Sequence, residues 1–362
     1  MTRQLARHYK IAVIPGDGIG PEVVSEGLRI LEAIERLDAN VTFECQMFGW
    51  GCDRYLSVGE MMPVDGLEKL SSFDAIYLGA VGDRRVPDNV SLRDLLIKIR
   101  QGFDQYANLR PIRLLPGVRS PLSGQHSVDM LFVRENSEGE YIGAGCNLYC
   151  GTPEEVAIQE SVFTRRGCER IMRYAFEVAL RRRRHVTSVS KSNALNYSMT
   201  LWDDVFRNVA SDYPSVATET LLVDAASAEL VRRPERFDVV VASNLFGDIL
   251  TDLAASLVGG LGLAAGANIN PEGSYPSMFE PIHGSAPDIA GKGVANPIAA
   301  IWSLAQMLDH LGEAVWSRRV MDAIEQALVE GRTLTPDLGG TCGTRELGGA
   351  LISYVESDRR AE

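Results

Sequence analysis

The sequence predicts an α/β protein, a sheet of buried strands covered by helices. Three observations carry that expectation. Short apolar runs bounded by glycine or proline alternate along the chain with longer runs of helical periodicity. No internal repeat, low-complexity tract or linker interrupts the alternation. The 362 residues, 45% hydrophobic and 23% charged, are enough for two or three closely packed domains.

The elements follow in order. Lys10 to Pro15 is an apolar run closed by Gly16-Asp17-Gly18, as a buried parallel strand and its turn would be. Pro21 then opens a helix with apolar positions at Val23, Val24, Leu28, Leu31 and Ile34, and proline suits a first helical position. Further buried strands are expected at Ala75 to Leu78, Asp129 to Val133 and Val239 to Ala242. Helical patterns occupy 161–181, 245–260, 297–311 and 314–330. The basic cluster from Arg181 to Arg184 follows the first of these, where cations complement a helix C-terminus. Gly16 to Pro21 mimics a dinucleotide fingerprint, but proline stands where the third glycine is required and no acid closes a second strand. A Rossmann site is therefore not expected.

Charge and cysteine usage narrow the function. Forty-eight acidic and 36 basic residues give a net charge of −12, which argues against general affinity for nucleic acid or anionic membranes. No apolar stretch is long enough to span a bilayer, and the N-terminus carries no signal-peptide hydrophobic region. Cysteines at 45, 52, 146, 150, 168 and 342 form no C-x-x-C pair. Reduced thiols in a cytoplasmic enzyme are expected.

The chemistry concentrates in a few places. Asp248 and Asp252 lie four apart in an otherwise apolar helical run, so both carboxylates share one face. Two unpaired acids there repel each other unless a cation lies between them, and a hard divalent ion, Mg²⁺ or Mn²⁺, suits oxygen ligands. Arg100, Arg110 and Arg134 lie at strand or loop positions, and converging guanidinium forks would hold a di- or tricarboxylate. Tyr141 sits in a glycine-flanked turn, Lys191 follows a short strand, and Asp224 closes the apolar run Leu221-Leu222-Val223. A lysine can act as base near neutral pH and a phenol can deliver a proton to an enol. From Glu280 to Pro297 the chain is dense in glycine, proline and small residues, yet carries His283, Asp288 and Asn296. That composition suits a loop whose backbone approaches a ligand closely.

Together these segments resemble a known family. Pro15-Gly-Asp-Gly-Ile-Gly-Pro-Glu22, Asn108-Leu-Arg-Pro111, Arg134-Glu-Asn-Ser-Glu-Gly-Glu-Tyr141, Asn244-Leu-Phe-Gly-Asp-Ile-Leu-Thr-Asp252 and the 280–297 loop look like the metal-dependent β-decarboxylating dehydrogenases. That family comprises isocitrate, isopropylmalate, homoisocitrate and tartrate/D-malate dehydrogenases. Phe103-Asp-Gln-Tyr106, Gly59-Glu-Met-Met-Pro63, Val162-Phe-Thr-Arg-Arg-Gly167 and Pro276-Ser-Met-Phe-Glu-Pro281 are most similar to the tartrate/D-malate branch. The resemblance implies a two-domain fold of isopropylmalate-dehydrogenase type, a mixed sheet flanked by helices and not Rossmann. Residues 1–106 with 261–362 would form a cofactor-side domain, and 107–260 a dimerisation and metal-side domain. It implies a homodimer with shared sites, in which Asp248 and Asp252 of one subunit join Asp224 of the other around Mn²⁺ or Mg²⁺. Arg100, Arg110 and Arg134 would then bind substrate carboxylates, Lys191 would take the hydroxyl proton, and Tyr141 would protonate the enol.

The same resemblance implies that His283, Gly284, Ser285, Ala286, Asp288, Ile289 and Asn296 bind the cofactor. The acid at Asp288 accepts ribose hydroxyls and repels a 2′-phosphate, which favours NAD. A monovalent cation, K⁺, is a further expected cofactor. Leu96 matches the position that contacts the variable part of the substrate. Arg93 departs from the branch pattern; it could reach a distal carboxylate, or be a solvated arginine neutralised by Asp94. The expected substrate is tartrate or D-malate, with 3-isopropylmalate, homoisocitrate and isocitrate as alternatives. A catalytically inactive, ligand-binding paralogue is disfavoured because Tyr141, Lys191, Asp224, Asp248 and Asp252 all keep the required residue type.

Overall fold

Residues 6–124 and 127–357 are described by a computed structural model. Among them, the strands in chain order are β1 (Arg7–Gly16), β2 (Val41–Met47), β3 (Ala75–Ala80), β4 (Ala107–Arg113), β5 (Asp129–Glu135), β6 (Gly145–Leu148), β7 (Val156–Gln159), β8 (His185–Ser190), β9 (Ala217–Leu222), β10 (Val239–Ala242), β11 (Ala265–Ile269) and β12 (Ser277–Pro281). Of the described residues, 6–104, 114–121 and 258–357 form one compact unit, and 105–113, 122–124 and 127–257 the other.

In the first unit the strand order is β2-β1-β3-β12-β11. The β1–β2, β1–β3 and β3–β12 pairs are parallel, and β11–β12 is antiparallel. The Gly20–Leu37 helix packs on β1, β2 and β3, and the Ile298–His310 helix on β11, β12 and β3. Pro21 stands in the first turn of the former, as its fixed φ favours. A core of Ile14, Ile76, Leu78, Trp50, Met61, Phe103 and Met278 also takes in Leu95 and Ile99, which anchors the segment carrying Leu96 and Arg100. That segment begins as six residues of π-helix, Leu92–Ile97, before the short Lys98–Gly102 helix.

In the second unit the order is β4-β5-β10-β8-β9. Here β4–β5 is antiparallel, and β5–β10, β10–β8 and β8–β9 are parallel. The Arg165–Leu180 helix covers β5, β8 and β10, and the Asn244–Leu257 helix covers β4, β5 and β10. Both units are thus mixed sheets flanked by helices, and neither has the all-parallel order of a Rossmann domain.

Most boundaries lie within a few residues of expectation. The helix expected at 161–181 starts at Arg165, because Thr164 caps it by accepting the Gly167 N–H at 2.9 Å. The one expected at 245–260 runs from Asn244 to Leu257, and Gly259 and Gly260, both at positive φ, end the run. Arg182, beyond the first of these helices, pairs with Asp129 and the buried Asp238, in keeping with a structural role for the basic cluster. Periodicity does not predict β4, whose sequence A-N-L-R-P-I-R buries two polar side chains, or the β6–β7 ribbon. Among the described residues no helix is long and apolar enough to cross a membrane.

Candidate active site

Asn108 of β4 lies opposite Arg134 of β5. Side chains alternate along a strand, so Arg110, two residues beyond Asn108, shares the face of Arg134. Both guanidiniums turn to the Asn244–Leu257 helix. Arg134, 1% exposed, donates from Nε to the Asn244 carbonyl at 2.8 Å, from Nη2 to Asn244 Oδ1 at 2.7 Å and from Nη1 to Asp248 Oδ1 at 2.6 Å. Arg110 donates to Asn108 Oδ1 at 2.9 Å, Thr251 Oγ1 at 2.6 Å and the same Asp248 oxygen at 3.0 Å. The Arg134 stem crosses the helix at Gly247, where an added Cβ would lie 2.6 Å from Arg134 Cγ. Only glycine lets strand and helix approach closely enough for these bonds.

Tyr141 sits in the single 3₁₀ turn Glu140–Ile142. Its hydroxyl donates to Asp248 Oδ2 at 3.1 Å, and its ring centroid lies 5.6 Å from the Arg134 guanidinium carbon. The buried Glu135 shapes the approach to this turn by accepting from the Ser137 N–H and hydroxyl and from the Glu138 N–H. Glu138 in turn accepts from the N–H and hydroxyl of Thr164. Burial, and then the charge of Asp248, push the Tyr141 phenol above its usual range, so it stays protonated.

Asp248 is 34% exposed and Asp252, one turn on, 55%, with Arg110 Nη1 at 3.6 Å from Asp252 Oδ1. Burial raises the Asp252 carboxyl; Arg110 partly offsets this and Asp248 adds to it. Two hard oxygen donors on one helix face fit a divalent cation such as Mn²⁺ or Mg²⁺. Asp224, which closes the apolar run Leu221-Leu222-Val223, stands in the first turn of the Val223–Arg232 helix. It accepts from Lys191 Nζ at 2.7 Å, and that bond holds its carboxyl low. Among the described residues of one chain, no three His, Cys, Asp or Glu side chains gather into a group able to hold a metal.

Arg100 lies on a helix and is committed to a partner. Its Nη2 donates to the buried Glu280 at 2.5 Å, Glu280 also accepts from Asn268 Nδ2 at 2.7 Å, and Arg100 Nε is buried with no hydrogen-bond partner. Leu96 is half-buried on the π-helical run, while Arg93 and Asp94 are both exposed. Among the described residues no contact ion pair joins Arg93 to Asp94.

The loop after β12 is held by backbone. Ser285 O accepts from the Ile19 N–H at 2.9 Å, and a Cβ on Gly18 (φ 59°) would fall 2.0 Å from that oxygen. Asp17, between the two glycines, accepts from the backbone N–H groups of Cys52 and Gly82, and Glu22 accepts from those of Gly291 and Gly293. Ala286 takes a left-handed φ of 42°, and the Ile289 N–H closes a turn on its carbonyl at 3.0 Å. Asn296 is engaged with Asp337 and with the first N–H of the Ile298–His310 helix. His283 Nδ1 lies 3.0 Å from the Gly284 carbonyl, so Nδ1 carries the proton of the neutral ring. Nε2 is then a buried acceptor without a donor, and burial lowers the ring pKa. An orphaned acceptor beside exposed Gly284 and Asp288 fits a dinucleotide bringing its own N–H and O–H groups.

The structure therefore brings together Arg110, Arg134, Tyr141, Asp248 and Asp252, pairs Lys191 with Asp224, and gives Arg100 to Glu280. Asn244, Thr251, Glu280 and Arg84, which pairs with Asp288, were not expected from sequence.

The isocitrate/isopropylmalate dehydrogenase family model matches residues 10–351. The chain belongs to that family. Its relatives include a probable tartrate dehydrogenase/decarboxylase of Agrobacterium vitis, 51% identical over 96% of each chain. The D-malate dehydrogenase [decarboxylating] of Escherichia coli is 50% identical, over 97% of this chain and 99% of that one. Among solved structures, an isocitrate dehydrogenase from Methylococcus capsulatus superposes with a TM-score of 0.87 at 39% identity, over 96% of this chain and all of the other. The family's members are oxidoreductases acting on CH–OH groups, and the mixed, helix-flanked sheets described here are those of a family member.

Proposed function

We propose that the protein oxidises a malate-like 2-hydroxy acid, tartrate or D-malate, with NAD, Mn²⁺ or Mg²⁺ and the monovalent cation K⁺ as cofactors, and can then release its β-carboxylate. The observation that carries this reading is Asp248, a partly exposed carboxylate that receives two guanidiniums and a phenol. Relatives about half identical over nearly the full chain, named for tartrate and D-malate, support the substrate.

When bound, the divalent cation polarises the substrate's hydroxyl and oxo oxygens and NAD accepts the hydride. The rest falls to side chains. Arg110 and Arg134 hold a substrate carboxylate, and their bonds to Asn108, Thr251 and Asn244 fix the forks in advance. Arg100 binds a second carboxylate, with Leu96 against the adjoining substituent. Lys191 and Asp224 reach the site from the partner subunit, and Lys191 takes the hydroxyl proton as the C2 hydride leaves. When the bond to the β-carboxylate breaks and CO₂ departs, the electron pair stays on the neighbouring carbon and the Tyr141 O–H protonates it.

A homodimer with shared sites is supported by the β6–β7 ribbon. Every residue of both strands is exposed, including Leu148, Val156 and Ile158, and a lone two-stranded ribbon is marginal in water. Six unbridged cysteines support a cytoplasmic location.

The test is NADH formation from D-malate, L- and meso-tartrate, 3-isopropylmalate, isocitrate and homoisocitrate, with Mn²⁺ and with excess chelator. Fastest turnover on D-malate or tartrate, lost with chelator, is expected. A longer substrate turned over fastest overturns the substrate, chelator-resistant turnover overturns the metal, and no turnover on any revives the ligand-binding paralogue.

A further inference from the structure

Asp288 is not alone. Arg84 Nη2 donates to its Oδ1 at 2.5 Å, with both side chains well exposed, 73% and 79%. The placement is set by backbone. Asp83, Arg84, Arg85 and Val86 form a turn closed by the Val86 N–H on the Asp83 carbonyl at 2.9 Å. The preceding Gly82 is tied to Asp17, and a Cβ on it would lie 3.4 Å from Ser285 Oγ, so this turn abuts the 283–289 loop. The two central arginines of the turn diverge. Arg85 is taken up by Asp83, through bonds of 2.9 and 2.7 Å, and by Asp53. Among the described residues Arg84 pairs only with Asp288.

An acid alone at this position would repel a 2′-phosphate on the adenosine ribose. With Arg84 beside it, the local charge is balanced, and a guanidinium fork matches phosphate geometry. An exposed ion pair is weak, so the arginine can leave the carboxylate for a stronger anion.

We infer that Arg84 is a specificity-determining residue for the cofactor: it offsets Asp288 and offers a 2′-phosphate a partner, so that the site admits the phosphorylated as well as the plain dinucleotide. The inference rests on the 283–296 loop being the dinucleotide site. The position 84 side chain, rather than Asp288 alone, then sets the ratio of the two affinities.

Titration of the full-length protein with NADH and with NADPH, followed by nicotinamide fluorescence without substrate, tests this directly. Wild type is expected to bind both. In R84A the ratio of NADPH to NADH dissociation constants should rise by about 10- to 150-fold, the range for losing a hydrogen bond to a charged group. R84E should raise it further and R84K should restore much of it, with NADH affinity changing less than about threefold throughout, as expected for an exposed pair. A ratio in R84A and R84E within about twofold of wild type, the scale of a surface change, overturns the inference. So does a wild type that binds NADH but not NADPH. If wild type binds neither, the loop is not the dinucleotide site and both readings fall together.

Discussion

The Asp248 cluster and the loop after β12 solve different problems with different materials. In the cluster, side chains on two strands and a helix do the work: Arg134 is almost wholly buried, and its donors are committed to Asn244 and Asp248. In the loop, the holding bonds are mostly backbone, and the side chains that would meet a ligand, Asp288 and the orphaned His283 nitrogen, contribute little to its shape. The difference teaches where each region is fragile. Charge changes should damage the cluster, whereas the loop should tolerate side-chain changes and register them in affinity or pH response.

The sharpest way to break this contrast is Asp248→Asn. It keeps an acceptor oxygen but removes the charge shared by two buried guanidiniums. Turnover with saturating Mn²⁺ should fall on the order of 10³-fold, the scale of losing a preorganised charge at a reacting centre. The fold should also lose about 1–3 kcal/mol, the cost of weakening a charge-assisted bond to a buried group. Steady-state kinetics with calorimetry measure both, and near-normal turnover would place the chemistry elsewhere.

Tyr141→Phe should come next. Phenylalanine keeps the ring beside Arg134 but has no proton to give, so kcat should drop by about 10²- to 10⁴-fold with KM little changed. A raised KM with kcat unchanged would mean that Tyr141 only binds substrate.

The smallest effect belongs to the loop. Burial lowers the His283 pKa below its ordinary 6.5, so the unfolded chain takes up a proton first as pH falls. The stability associated with neutral His283 is therefore complete above pH 6.5 and lost below it. His310 is shifted in the same direction, so His283→Asn should flatten the decline only in part. Each group contributes at most about 1.4 kcal/mol per pH unit. Urea midpoints at neutral and mildly acidic pH should differ less in the mutant, and superimposable profiles would show that His283 is not buried in solution.

Sequence made the Asp248–Asp252 face legible because both residues sit on one helix, where spacing alone dictates geometry. It could not show that Arg110 and Arg134 converge on Asp248, because they lie 138 and 114 residues away and meet it only through β4–β5 pairing and the gap at Gly247. Strand β4 itself was hidden, since its arginine, asparagine and proline read as a loop until the cluster explains their burial. The alternation of strands and helices was readable because buried parallel strands are short apolar runs. Arg84 left no signal at all: in a turn with two adjacent arginines, only three-dimensional placement separates the one held by Asp83 from the one facing Asp288.

The π-helical run Leu92–Ile97 has a consequence for how this scaffold changes over time. A π-turn is an α-helix that has accommodated one additional residue. Losing one residue there would return the segment to α-helix and rotate everything before it by roughly 100° relative to Arg100. Leu95 and Ile99 would keep the helix docked only if the core beneath them repacked. Single-residue insertions and deletions at this point thus re-aim the side chains upstream of Arg100 while Arg100 keeps its Glu280 partner. The segment is a built-in indexing step, through which descendants of this sequence could exchange the side chains presented upstream of Arg100 without rebuilding the core that holds it.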